Sequence, residues 1–194
     1  MIYHLLYPLH EYSTFFNVFK YITFRSIYAT ITALIIALLL GPWFMRKVTE
    51  LKLKERINGN VPKNHAGKSG TPTMGGLLII FSIAVSTILW ADLTNLYLWL
   101  GMIILVSFGF IGFVDDYIKT IKGNMAGVPG RVRLLLEFAI AAVIGYVLVN
   151  IPGFDRSIVL PFFKNVTINL GPLYIPFAML VIVGAANAVN LTDG

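Results

Sequence analysis

Two adjacent aspartates, Asp115 and Asp116, close an apolar run in the stretch FGFIGFVDDYIK. Neighbouring carboxylates repel, and desolvation at the border of hydrocarbon raises the cost of keeping both ionised. At the C-terminal end of a helix they also oppose the macrodipole, which favours cations there. A divalent metal could offset this, and so could Lys119 and Lys122. The plainer reading is two solvated acids at an aqueous rim, where a charge costs little compared with the bilayer centre.

A second cluster is Asn187, Asn190 and Asp193 in NAVNLTDG. Three-residue spacing puts the three on one side of a helix. Amide and carboxylate oxygens suit a hard cation such as Mg²⁺, and asparagine also donates to phosphate or sugar. A helix ending on Asn and Gly would read similarly; three polar groups in seven residues after an apolar run favour a site. A third cluster is HAGKSGTPTMGG, residues 65–76. Its small residues let backbone approach a ligand, Lys68 can meet a phosphate as a point charge, and amides at a helix start favour anions. The lysine precedes the glycine pair and no strand leads in, so this is no P-loop. The alternative is a flexible loop with Thr71 or Thr73 capping the next helix.

Lys119, Lys122, Arg131 and Arg133 could bind diphosphate or simply serve topology and anionic lipid. Glu137, four residues after Arg133, pairs with it most simply on one helix face. His4 and His10 lie apart from all of these and receive no role.

The elements that must carry these groups are helices in lipid. The 194 residues are 57% hydrophobic and 12% charged, with mean hydropathy +0.79. A soluble domain carries about twice that share of charge. Five apolar segments, 21–45, 73–90, 96–114, 134–151 and 173–189, each reach about the 20 residues that a span needs. The predicted fold class is therefore an all-α polytopic transmembrane helix bundle, a single integral membrane domain. Trp43, Trp90, Tyr97, Trp99 and Tyr146 fall near segment ends, where amphipathic rings meet headgroups. Residues 14–25 suit an interfacial helix. Between the last two segments, residues 157–160 and 165–170 have the composition of a short β-hairpin.

The formal charge of +6 would suggest nucleic acid in a soluble chain; here it sets orientation, and no nucleic-acid partner is expected. Eleven of the fifteen basic residues fall in the loops 46–70 and 115–133. Both loops lie on one side if all five segments cross, and the positive-inside rule makes that side cytoplasmic. The N-terminus is then outside. It has no basic n-region or cleavage site, so no signal peptide is read. The absence of cysteine excludes disulfides and thiolate chemistry.

Taken together and in this order, GKSGTPTMGG, GFVDDYIK and NAVNLTDG resemble the polyprenyl-phosphate N-acetylhexosamine-1-phosphate transferases of bacterial inner membranes. The resemblance covers the whole chain. Within that family the TPTMGG run favours the branch acting on UDP-N-acetylmuramoyl-pentapeptide over the sister branch using UDP-N-acetylglucosamine. The resemblance implies transfer to undecaprenyl phosphate, giving lipid I and UMP with Mg²⁺, as a step of peptidoglycan synthesis. It implies that Asp115 and Asp116 are the family's paired aspartates, one taking a proton from the acceptor phosphate or binding metal. It gives Asp193 a catalytic and metal role, with Asn190 and Asn187 beside it, and lets Lys68, Thr73, Lys119 and Arg131 bind substrate. Pairing of two copies is left open. The family has about ten spans and about twice this length, with a further aspartate and a histidine-rich loop. The expectation is a fragment that lacks activity by itself. A transporter is the rival from another class, but its polar groups belong near the midplane, whereas these lie at the rim.

Overall fold

The computed structural model describes residues 1–50, 75–121, 127–159 and 166–193, with backbone alone at 49–50, 120–121 and 190–193. The chain forms two compact units, Met1–Val128 and Pro129–Gly194. The helices are α1 (Ile2–Leu6), α2 (Ile22–Glu50), α3 (Gly75–Trp90), α4 (Leu96–Ile121), α5 (Gly130–Val149) and α6 (Tyr174–Asp193). Two short strands, β1 (Ser157–Val159) and β2 (Thr167–Asn169), lie between α5 and α6.

Lipid is written into the pattern of burial. On α3, Ser82 and Ser86 are each 2% exposed, whereas Ile79 and Phe81 are more than half exposed. Each buried serine satisfies itself locally, donating to the carbonyl four residues back (Leu78 and Ser82, both 2.7 Å). Small residues inside and large apolar ones outside is the arrangement of helices whose solvent is hydrocarbon. The chain is a multi-pass membrane protein. Among the described residues four stretches are long and apolar enough to cross, Ile22–Val48, Leu96–Lys119, Gly130–Val149 and Gly171–Val189. The fifth segment appears as α3, whose 16 described residues rise about 24 Å at 1.5 Å each. The hydropathy of the sequence starts this segment at residue 73, and 73–74 lie outside the described residues.

Within the first unit α2, α3 and α4 run alternately up and down. Gly41 lies against Leu78, while Trp90 Nε1 donates to Thr32 Oγ1 at 2.9 Å, so α3 antiparallels α2. Trp99 Nε1 donates to the Leu93 carbonyl at 2.9 Å and Gly109 meets Ile80, so α4 returns along α3. The end holding Trp90 and Trp99 also gathers Phe19, Phe24 and Tyr28 around Trp90. At the opposite end Val48 packs against Phe44 and Phe113, two residues before Asp115.

Three boundaries differ from the sequence reading. Residues 14–25 do not make one interfacial helix: a 3-10 segment covers Thr14–Lys20, Tyr21 is extended (φ −75°, ψ 124°), and α2 begins at Ile22. The extended residue lets Phe19 fold back onto Phe24. Helix α4 continues to Ile121, so the aspartate pair sits inside a helix and not at its C-terminus; a helix outlasts its apolar stretch where polar side chains can reach water. Pro42 lies inside α2, which runs on to Glu50. His4 is not isolated either: its Nε2 accepts the Leu93 amide at 3.1 Å and lies 3.3 Å from Asp92, tying α1 to the α3–α4 turn.

In the second unit α5 and α6 are antiparallel. Ala141, Ile144 and Gly145 of α5 are buried, as are Ala178 and Val183 of α6. A Cβ at Gly145 would lie 3.4–3.5 Å from Ile175, so the two backbones approach closely there. The hairpin forms as the composition suggested, antiparallel with Ser157 opposite Asn169 and Val159 opposite Thr167.

Candidate active site

Asp115 is 8% exposed and its two oxygens have different partners. Oδ2 lies 2.6 Å from Lys119 Nζ, one turn on, an Asp-to-Lys pair at the spacing that suits a helix. Oδ1 accepts the backbone N–H of Val128 at 2.8 Å. The chain therefore folds back after α4 and caps the carboxylate with an amide. Gly127 permits this: its φ is +64°, and a Cβ there would run into Asp115 Oδ1 and Lys119 Cε. Lys119 is the lysine that the sequence had offered as a counter-ion. Asp116 is half-buried and has an interaction of its own.

Arg133, Glu137 and Asn187 form a second polar cluster, between α5 and α6. Arg133 Nε donates to Glu137 Oε1 at 3.1 Å, the pairing expected from their spacing. Arg133 Nη2 also donates to Asn187 Oδ1 at 2.9 Å. Asn187 Nδ2 donates to Glu137 Oε2 at 2.5 Å and to the Val183 carbonyl at 2.9 Å. Asn187, expected to face substrate, thus spends its amide on its own unit. Glu137 is 5% exposed, and a charge so placed is tolerable only with such partners.

Arg131 is exposed in the first turn of α5. Asn190 and Asp193 stand on the last turns of α6, described as backbone. Lys68, Thr73 and Lys122 lie outside the described residues. Among the described residues no three His, Cys, Asp or Glu side chains form a metal-holding group. The Asp115–Asp116 pair still fits Mg²⁺, which takes hard oxygen ligands and needs only one or two carboxylates when phosphates supply the rest. Sequence reasoning missed Gly127 and the Val128 amide. The signal was available in GVPG, where a glycine two residues before a proline marks a turn.

Residues 95–194, slightly more than half of the chain, match the family model described as glycosyl transferase family 4. The chain belongs to that family. In glycosyl transferase family 4 terms, residues 68–80 also match phospho-N-acetylmuramoyl-pentapeptide-transferase signature 1. The chain is 56% identical over all 194 residues to a phospho-N-acetylmuramoyl-pentapeptide-transferase of Syntrophus aciditrophicus strain SB, covering 54% of that protein. Proteins of the same description from Citrifermentans bemidjiense and Geobacter sp. strain M21 are each 53% identical, again over the whole chain and 54% of their own length. The chain thus spans about half the length of the curated relatives it matches.

Proposed function

We propose that this family 4 member acts in the transfer of phospho-N-acetylmuramoyl-pentapeptide from its UDP donor to undecaprenyl phosphate, giving lipid I and UMP. The observation that carries this reading is the match of residues 68–80 to phospho-N-acetylmuramoyl-pentapeptide-transferase signature 1. Activity is proposed for these residues joined to the remainder of the relatives' length, and not for the 194 alone. The setting proposed is a bacterial inner membrane, with the N-terminus outside and Asp115 at the cytoplasmic boundary. A dimer is compatible with this and is not required by it.

In the proposed reaction an oxygen of the acceptor phosphate attacks the sugar-bearing phosphorus of the donor. A new P–O bond forms, the bond to the bridging oxygen breaks, and UMP leaves with the electron pair. Such a reaction asks the protein mainly for positioning and charge neutralisation. Asp115 or Asp116 takes the proton of the acceptor phosphate. Lys119, whose ammonium neutralises Asp115, can turn to a phosphate oxygen as the donor arrives. Lys68, Thr73 and Arg131 are proposed to hold phosphate or sugar, and Asn190 and Asp193 the uridine end, with Asn187 beside them. Mg²⁺, proposed on Asp115, Asp116 and Asp193, supplies neutralisation of the diphosphate when bound.

The test is UMP release by the protein at its relatives' length, with undecaprenyl phosphate and either UDP-N-acetylmuramoyl-pentapeptide or UDP-N-acetylglucosamine. Release with the first donor and not the second is expected. Release with the second alone would move the protein to the sister branch, and release with neither would refute the proposal.

A further inference from the structure

The Arg133–Glu137–Asn187 cluster has a tighter construction than a helix pair needs. A buried ion pair is seldom the cheapest way to join two helices, since apolar side chains of similar volume do so at least as well. What the cluster adds is orientation. Both polar atoms of the Asn187 amide are committed, Oδ1 to Arg133 and Nδ2 to Glu137, so the amide cannot flip without opposing like groups. The Val183 carbonyl takes a further bond from Nδ2, which binds the amide to its own helix. Glu137 and Arg133 lie one turn apart on α5 and grip one residue of α6. Together they fix the rotation and axial position of α6 at residue 187.

Asn190 and Asp193 follow on the same helix, three and six residues on. On a rigid helix the placement of those two backbone positions follows from the rotation at Asn187. We propose that Glu137 is a positioning residue: through Asn187 it clamps α6 so that the helix backbone carrying positions 190 and 193 is held in place for the donor nucleotide. This rests on the reading of those positions given above. It also moves Asn187 from substrate contact to support, and makes Glu137, whose simplest role in the sequence was pairing with Arg133, a requirement for the rate.

Two measurements on the protein at its relatives' length test this. Backbone hydrogen exchange over residues 186–193 reports the clamp whatever the activity. Glu137→Leu should raise it about tenfold and Glu137→Gln, which still accepts from Asn187, should raise it less. Donor kcat/KM should fall about 10–100-fold in Glu137→Leu, as a displacement near the reacting groups would cause. Glu137→Gln should recover most of that loss. Asn187→Ala should resemble Glu137→Leu, and the double variant should be no worse than either. Unchanged exchange, or additive losses in the double variant, would overturn the proposal. If Glu137→Leu does not fold, the cycle of Glu137→Gln with Asn187→Ala decides by the same criterion. A wild-type protein that releases no UMP would refute the proposed function, while exchange would still decide the clamp.

Discussion

Lys119 Nζ stands 2.6 Å from Asp115 Oδ2, one helical turn further along α4, while Asp115 Oδ1 accepts the Val128 amide. The carboxylate is therefore held on two sides, by a side-chain ammonium and by a backbone amide. Asp115→Asn separates these roles. Asparagine keeps an oxygen for Val128 but loses the charge. UMP release should fall by about 10²–10⁴, the range for loss of a general base, with little change in thermal midpoint. A rate near wild type would remove Asp115 from the chemistry.

Gly127→Ala tests the backbone side of the same arrangement. A left-handed φ of +64° strains any other residue, and the new methyl would meet Asp115 Oδ1. The cost should be on the order of 1–3 kcal/mol. Chemical denaturation should register the loss of stability, and UMP release should fall with it. An unaltered midpoint would mean that the turn does not close on Asp115.

The α2–α3 pair is joined at one end by the bond from Trp90 Nε1 to Thr32 Oγ1. Thr32→Val keeps the shape and removes the acceptor. The expected loss is about 0.6 kcal/mol, the usual worth of a polar contact between membrane helices. Trp90→Phe should cost more, because the ring also packs on Phe19, Phe24 and Tyr28. Equal effects would show that the rings contribute little.

The α3–α4 turn should be sensitive to acid. The Thr94 hydroxyl bonds Asp92 and holds its carboxyl below the usual range, helped by the Thr94 amide, His4 and Arg25 and opposed by burial. A depressed native value means that ionised Asp92 stabilises the fold above the ordinary carboxylate value of 3.8, and that this is lost as pH falls through the native value. Wild type should thus be more stable than Asp92→Asn at neutral pH, and the gap should close below about pH 3.8. Asp92 is half-buried at the surface, where solvent screens it, so the gap will be small. A gap independent of pH would contradict the account.

Orientation can be read by labelling these 194 residues, which have no cysteine to interfere. Single cysteines at Thr94 and Gly153 should react with an impermeant reagent in intact cells, and one at Arg46 only after permeabilisation. The reverse pattern would invert the proposed topology.

Much of this was legible in the sequence because lipid simplifies the problem. Every apolar segment became a helix, since hydrocarbon leaves the backbone no other partner. The Arg133–Glu137 pair and the hairpin followed from i,i+4 spacing and from β-type composition. What escaped was set by contacts distant along the chain. Asn187 reads as a substrate ligand until Glu137, fifty residues earlier, is found holding it. Residue 127 reads as one glycine among seventeen until its turn is seen to bring an amide onto Asp115. The length of α4 escaped because hydropathy ends at Val114, whereas the helix has no reason to stop there.

The central claim is that a phosphosugar moves, not a sugar. It is tested most directly with a donor labelled in the phosphate attached to N-acetylmuramic acid, incubated with undecaprenyl phosphate and the protein at its relatives' length. Label in the lipid product, with unlabelled UMP in solution, is the predicted outcome. Label left in soluble UDP would mean cleavage of the sugar–oxygen bond, which contradicts the account.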